Sequence, residues 1–127
     1  MFTALETLKL KNVKISNEEE KAALLAILLH DVGHGPYSHA LESLLMEDWH
    51  HEKLSILLMK KLNDEFNGEL DLEIEMFQGK YHRKFFNQLI TSQLDVDRLD
   101  YLKRDSFFTG VSEGSVNTQR IISMMNV

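Results

Sequence analysis

Apolar residues recur along the chain at the three- and four-residue spacing of α-helices, and the breaks between the apolar runs are short. One stretch, ELDLEIEM (residues 69–76), instead alternates acidic and apolar residues, which is a strand signal. A single short strand has no partner to pair with, so we expect helix or irregular structure there. The pattern elsewhere predicts helices over residues 2–12, 17–30, 38–47, 50–63, 82–92, 94–108 and 117–126.

The second predicted helix carries the clearest local signals. Ser16 and Glu19 match a capping box, in which each side chain bonds a backbone amide of the other residue. Residues 22–29, AALLAILL, are apolar on every side, which is typical of a helix covered by several neighbours. Gly33, Gly35 and Pro36 follow, and they are expected to end the helix.

These elements predict an all-α protein, an irregular helical bundle without a sustained heptad repeat. The length of 127 residues suits one domain, and no repeat or linker divides it. Cysteine is absent, which excludes disulfides, thiolate catalysis and cysteine-based zinc sites. The net charge of −6 argues against direct binding to nucleic acids or membranes. No transmembrane or signal segment is evident, so we expect a cytoplasmic location.

Candidate chemistry is concentrated in LLHDVGHGPYSH, residues 28–39, where a very apolar helix stops. Five of the six histidines lie within the range 30–51, and carboxylates are interleaved with them. Imidazole with carboxylate, without thiolate, suits a divalent metal such as Mn, Mg, Fe, Ni or Zn. His50 and His82 are better interpreted as ordinary surface or structural histidines. His30 and Asp31 are adjacent, so they can share a metal only where the helix ends.

A second acidic stretch, SQLDVDRLDYLKRDSFFTG, covers residues 92–110. On a helix, Asp97, Tyr101 and Asp105 project to one side, because they are spaced by four residues. Spacing alone equally allows an ordinary charged face in solvent, with ion pairs along the helix.

Three stretches in this order, HDVGHGPYSH, HHE and QLDVDRLDYLKRDSFFTGV, resemble the HD-domain metal-dependent phosphohydrolases. More narrowly, they are similar to the branch that hydrolyses deoxynucleoside triphosphates, the dGTPase-like enzymes. The resemblance implies an all-α HD-domain fold, a divalent metal cofactor, a dNTP substrate and a homo-oligomer. The expected reaction converts a dNTP and water into a deoxynucleoside and triphosphate.

The resemblance also assigns roles to residues of this chain. His30, Asp31 and Asp97 would be metal ligands. Arg98 would contact phosphate, and Tyr101 and Asp105 would bind the sugar hydroxyl. The remaining histidines and acids of the motifs would be the catalytic residues: His34, His39, Glu42, His51 and Glu52.

One feature of the family pattern is missing. The family's first metal ligand is a histidine on a helix upstream of the HD pair, and no histidine precedes His30. We therefore expect a partial HD domain over residues 1–127, with three of four metal ligands and apolar surface that favours self-association. The alternatives are another HD phosphohydrolase, such as a nucleotidase or phosphodiesterase, and an inactive or regulatory fragment.

Overall fold

The chain folds as seven helices in the parts that the structure, a computed structural model, describes: residues 1–37, 39, 50–112 and 116–127. No strand is present in these parts, so the predicted all-α class is confirmed. The predicted helix over residues 38–47 lies outside the described residues except at residue 39. The helices are α1 (Phe2–Leu10), α2 (Asn17–Leu29), α3 (His51–Glu65), α4 (Asp71–Phe77), α5 (Phe85–Ile90), α6 (Val96–Thr109) and α7 (Thr118–Met124).

Helix α2 is the centre of the fold, and it packs against α4 and α5. Three alanines, Ala22, Ala23 and Ala26, form its buried face, and their small side chains let the neighbouring helices approach closely. The segment with alternating acidic and apolar residues becomes α4, a short helix and not a strand. The core is completed by Ala4, Leu5, Leu8, Met59, Leu70, Ile74, Met76, Phe77, Phe86, Leu89, Ile90 and Val96.

The prediction that the second half of α2 is covered on all sides is wrong. Leu28 is 73% exposed, and Leu24 and Leu25 are only partly buried. The alanines occupy the core side of the helix, so the larger leucines project to its flanks. Among the described residues, no helix combines the length and the apolar character that crossing a membrane requires.

The start of α2 is fixed by a buried carboxylate. The Ser16 hydroxyl accepts from the Glu19 amide at 3.1 Å, and the Glu19 carboxylate accepts from the Ser16 amide at 2.9 Å, which confirms the capping box. The same carboxylate accepts from Arg83 Nη1 at 2.7 Å and from the Tyr81 hydroxyl at 2.8 Å. Burial by itself would raise the pKa of Glu19, but these hydrogen bonds outweigh it and lower the pKa below its ordinary value of 4.5.

A second buried carboxylate, Glu73 on α4, has a raised pKa where Glu19 has a lowered one. The residue is 3% exposed, and its Oε2 atom has no hydrogen-bond partner. Burial raises the pKa of Glu73 above its ordinary value of 4.5, although the charge of Lys21 acts against this. At neutral pH, Glu73 therefore destabilises the same helix packing that Glu19 supports.

Glu73→Gln is expected to increase the free energy of unfolding at pH 7 on the order of 1 kcal/mol, because it removes a buried charge without changing the side-chain shape. A raised folded-state pKa stabilises the folded chain below pH 4.5 and loses that effect as the pH rises. The gain should therefore vanish by about pH 4. Urea denaturation at several pH values measures both the gain in unfolding free energy at pH 7 and its disappearance at low pH.

Glu19→Gln is the matched control. Glutamine can still close the capping box but cannot pair its charge with Arg83. A lowered folded-state pKa stabilises the fold above pH 4.5, and this stabilisation is lost on acidification. The Glu19→Gln variant should therefore lose about 2 kcal/mol of unfolding free energy at pH 7, and this loss should shrink towards low pH. Equal pH profiles for the two variants would contradict the assignment of these two carboxylates.

Candidate functional site

The HD pair lies immediately after α2. The helix ends at Leu29, His30 is its C-terminal cap, and Asp31 begins the following turn. In this turn the adjacent side chains converge, with His30 Nε2 3.4 Å from Asp31 Oδ1. Asp97, in the first turn of α6, brings its Oδ2 to 3.9 Å from the same nitrogen. Two distant segments of the sequence thus meet at one imidazole nitrogen.

The orientation of the His30 ring suits a metal ligand. Its Nδ1 lies 2.6 Å from the Ile27 carbonyl oxygen, which can only accept a hydrogen bond. The ring proton of neutral His30 is therefore assigned to Nδ1, and the Nε2 lone pair faces the two carboxylates. His30, Asp31 and Asp97 each offer one ligand atom, and these atoms lie within 4.8 Å of one another. A backbone carbonyl that orients the imidazole is a common support for metal-binding histidines.

Three further histidines form a second group beside the first. The rings of His34 and His51 are stacked with centroids 4.0 Å apart, and the His39 ring lies edge-on to both at 5.0 Å. Their nitrogens also come within 4.8 Å of one another. His34 Nε2 lies 3.4 Å from Asp31 Oδ1, so Asp31 links this group with the first group.

Gly33 brings these histidines together. The turn that contains it lies directly on the first turn of α3, where the buried Gly33 amide donates to the Ser55 hydroxyl at 3.0 Å. A Cβ at this position would overlap the Ser55 nitrogen and the His51 carbonyl oxygen. Glycine is therefore required for the contact, and not to end the helix, which stops four residues earlier. The same contact places His34 against His51.

The two groups line one open cavity of about 660 Å³. Nine of the predicted site residues contribute to its wall: His30, Asp31, His34, His39, His51, Glu52, Asp97, Arg98 and Tyr101. Asp105 lies outside this cavity and is exposed, two turns along α6 from Asp97. Glu42 lies outside the described residues. His50 and His82 are not among the described lining residues of this cavity.

Five lining residues were not predicted from the sequence: Phe77, Ile90, Thr91, Ser92 and Asp95. Asp95 has an identifiable signal, because an aspartate directly before a helix is a favoured N-cap. Its carboxylate accepts from the Arg98 amide at 2.7 Å and so fixes the start of α6 next to Asp97. Phe77 and Ile90 have ordinary core patterns, and nothing in the sequence distinguishes them from other core residues.

The cavity is acidic as it stands. Its described wall carries four carboxylates, on Asp31, Glu52, Asp95 and Asp97, against the single guanidinium of Arg98. An anionic substrate would be repelled unless a cation offset these charges. Farther along α6 the helix carries an ordinary charged face in solvent, since Arg104 and Asp100 form an exposed ion pair at 2.9 Å.

The chain is similar to known proteins in sequence and in structure. A family model described as HD domain matches residues 2–105. A phosphohydrolase of Bacteroides thetaiotaomicron VPI-5482, known from a crystal structure, has a TM-score of 0.91 and 48% sequence identity over 98% of this chain and 31% of that chain.

Two curated relatives are similar over a comparable stretch. The uncharacterized protein YwfO of Bacillus subtilis strain 168 is 36% identical over 117 residues, or 86% of this chain and 26% of that protein. The deoxynucleoside triphosphate triphosphohydrolase SAMHD1 homolog of Dictyostelium discoideum is 32% identical over 117 residues, or 79% of this chain and 23% of that protein. The chain thus spans about a quarter to a third of the length of these relatives.

Gly33→Ala is expected to destabilise the fold by at least about 2 kcal/mol, because the added methyl group meets backbone atoms that cannot rotate away. Gly35→Ala is the matched control, since a Cβ there has nothing within 4 Å. Its effect should stay within about 0.5 kcal/mol. Chemical denaturation of both variants measures the difference, and equal stabilities would disprove the close contact at Gly33.

Proposed function

Because the chain belongs to the HD domain family, we propose that it forms part of a metal-dependent phosphohydrolase that converts a dNTP and water into a deoxynucleoside and triphosphate. The observation that carries the proposal is the convergence of the His30, Asp31 and Asp97 ligand group with three histidines in one cavity. Among the relatives, the Dictyostelium protein is named for this reaction, and the Bacteroides protein is named a phosphohydrolase.

His30, Asp31 and Asp97 would hold the divalent metal. Imidazole and carboxylate suit Mn, Mg, Fe, Ni or Zn, and three protein ligands leave positions for water, substrate oxygen or a further ligand. When bound, the metal would offset the carboxylate charges and neutralise a phosphate group. The hydrogen bond from His30 to Ile27 holds the imidazole in the required orientation before any ligand arrives.

The three histidines would act on the phosphate ester. The oxygen of a water molecule bonds to the α-phosphorus while the bond from that phosphorus to the sugar O5′ breaks. His39, edge-on to the other two rings, would donate a proton to the departing O5′, and the water proton would pass to solvent. His34 and His51 would hold phosphate oxygens, and Glu52, beside His51, would relay protons. His39 as a nucleophile is the alternative role that the family resemblance supports.

Helix α6 would position the rest of the substrate. Arg98, at the cavity wall, would contact phosphate, and Tyr101, one turn farther along, would contact the sugar. Asp105 for the sugar hydroxyl and Glu42 as a partner of His39 stay predictions, as do a homo-oligomer and a cytoplasmic location.

Incubation of the protein with dGTP and Mn²⁺ is expected to release inorganic triphosphate and deoxyguanosine, because the α-phosphorus is the proposed point of attack. Ion-exchange chromatography of the products measures this directly. Release of monophosphate and pyrophosphate would instead favour a nucleotidase or phosphodiesterase. His39→Ala should abolish turnover while leaving the far-ultraviolet circular dichroism spectrum unchanged.

Asp97→Ala is expected to weaken Mn²⁺ binding by more than about tenfold, since changes to outer-shell partners alone cost about 10- to 100-fold. Asp100→Ala is the matched control, because Asp100 lies on the same helix and pairs with Arg104 outside the cavity. Isothermal titration with MnCl₂ compares the two variants without reference to catalysis. Unchanged Mn²⁺ affinity in Asp97→Ala would remove Asp97 from the ligand set.

A further inference from the structure

A cavity of about 260 Å³ lies between α2 and α4, and we call it the α2–α4 cavity. None of its described lining residues lines the cavity of the candidate site. Its described wall carries four carboxylates against the one ammonium group of Lys21, and these carboxylates belong to Glu18, Glu69, Asp71 and Glu73. The cavity therefore favours a cation over an anion.

Glu73 distinguishes this wall from an ordinary acidic surface. The other three acids are exposed, but Glu73 is only 3% exposed, and its Oε2 atom has no hydrogen-bond partner. Lys21 acts on Glu73 through its charge but makes no bond to this oxygen. A buried carboxylate oxygen without a donor destabilises the fold, and a donor that enters the cavity would remove this cost.

The rim of the α2–α4 cavity is held in shape by the turn between α3 and α4. The side-chain amide of Asn63 donates to Asp71 Oδ1 at 2.7 Å, and the Asn63 side-chain oxygen accepts from the Leu70 amide at 2.6 Å. Gly68 has a φ of +89°, which lets the chain turn here, and a Cβ on it would lie 3.4 Å from Asp71 Oδ2. The Asp71 carboxylate is thus fixed at the rim before any ligand binds.

The spacing of the carboxylates indicates which kind of cation fits. Among the described residues, the two groups of side chains whose ligand atoms gather within 4.8 Å both lie at the candidate site. The acids of the α2–α4 cavity are spread more widely, so one bare metal ion would not reach them together. Ammonium groups joined by methylene chains would reach several of these acids, and the methylenes would pack on Ala22 and Leu72 in the same wall.

We propose that the α2–α4 cavity binds a linear polyamine, with one ammonium group donating to Glu73 Oε2 and another contacting the acids of the rim. Helix α2 carries His30 as its C-terminal cap, and α4 ends at Phe77 in the wall of the candidate site. A bound polyamine would therefore stabilise the pair of helices that leads to the candidate site. The inference is independent of the proposed function, because the acids that it uses take no part in that reaction.

Isothermal titration of the 127-residue chain with spermidine, a linear triamine, tests the site at pH 7 and low ionic strength. Glu73→Gln should weaken spermidine binding about tenfold, the factor for one lost charged hydrogen bond. This variant is expected to be more stable than the unaltered chain, so its lost affinity would not reflect lost structure. Glu75→Gln is the matched control, since it removes the same charge from an exposed position of α4 outside the described wall of the cavity.

Three further measurements test the ligand and its placement. n-Butylamine, which has a single ammonium group, should bind at least about tenfold more weakly than spermidine. Lys21→Gln should strengthen spermidine binding, because it removes the competing cation that acts on Glu73. In urea denaturation at pH 7, saturating spermidine should shrink the stability gain of Glu73→Gln, since it would stabilise the folded form of the unaltered chain more than that of the variant.

Several outcomes would overturn the inference. Equal losses of affinity in Glu73→Gln and Glu75→Gln would reveal attraction to net negative charge and no site. A loss in Asp97→Ala as large as that in Glu73→Gln would place the amine at the candidate site instead. Equal binding of n-butylamine and spermidine would exclude a polyamine as the specific ligand. None of these outcomes bears on the hydrolysis of dGTP, so failure here and failure of the proposed function are distinguishable.

Discussion

A close contact between two backbone segments supports the whole site. The turn after α2 can lie on the start of α3 only because Gly33 has no side chain, and the Ser55 hydroxyl satisfies the Gly33 amide that the contact buries. Through this contact, His34 stacks on His51, and Asp31 lies between the two groups of candidate ligands. A single methyl group at Gly33 would separate the segments. Backbone atoms, which cannot adopt other rotamers, thus hold the histidines in place.

Charge is the second constraint on the site. The cavity wall is dominated by carboxylates, so by itself it disfavours the phosphate chemistry that its histidines suit. A divalent cation would resolve this conflict, because it would satisfy the carboxylates and attract phosphate at the same place. Arg98 is the cationic side chain, lysine or arginine, in the described wall of this cavity.

Two buried carboxylates have opposite effects on the stability of the helices that carry the site. Glu19 accepts several hydrogen bonds at once and fixes the start of α2 to the segment that precedes α5. Glu73, on the helix that packs against α2, is buried without a partner for one oxygen. Burial acts to raise the pKa of both groups, and hydrogen bonding decides which of them supports the fold. Acidification should therefore weaken the stabilisation that Glu19 provides and remove the destabilisation that charged Glu73 causes.

The sequence by itself determined the helical class, the approximate bounds of most helices and the residues of the HD motif, because periodicity and short motifs are local properties. It also predicted the capping box at Ser16, whose bonds lie within one helical turn. Only the tertiary structure decided that Leu28 is exposed and that Gly33 serves a close contact. The approach of Asp97 to His30 was expected from the family resemblance and not from any spacing in the sequence. These outcomes depend on which segments approach one another in space, and no local pattern in the sequence records that.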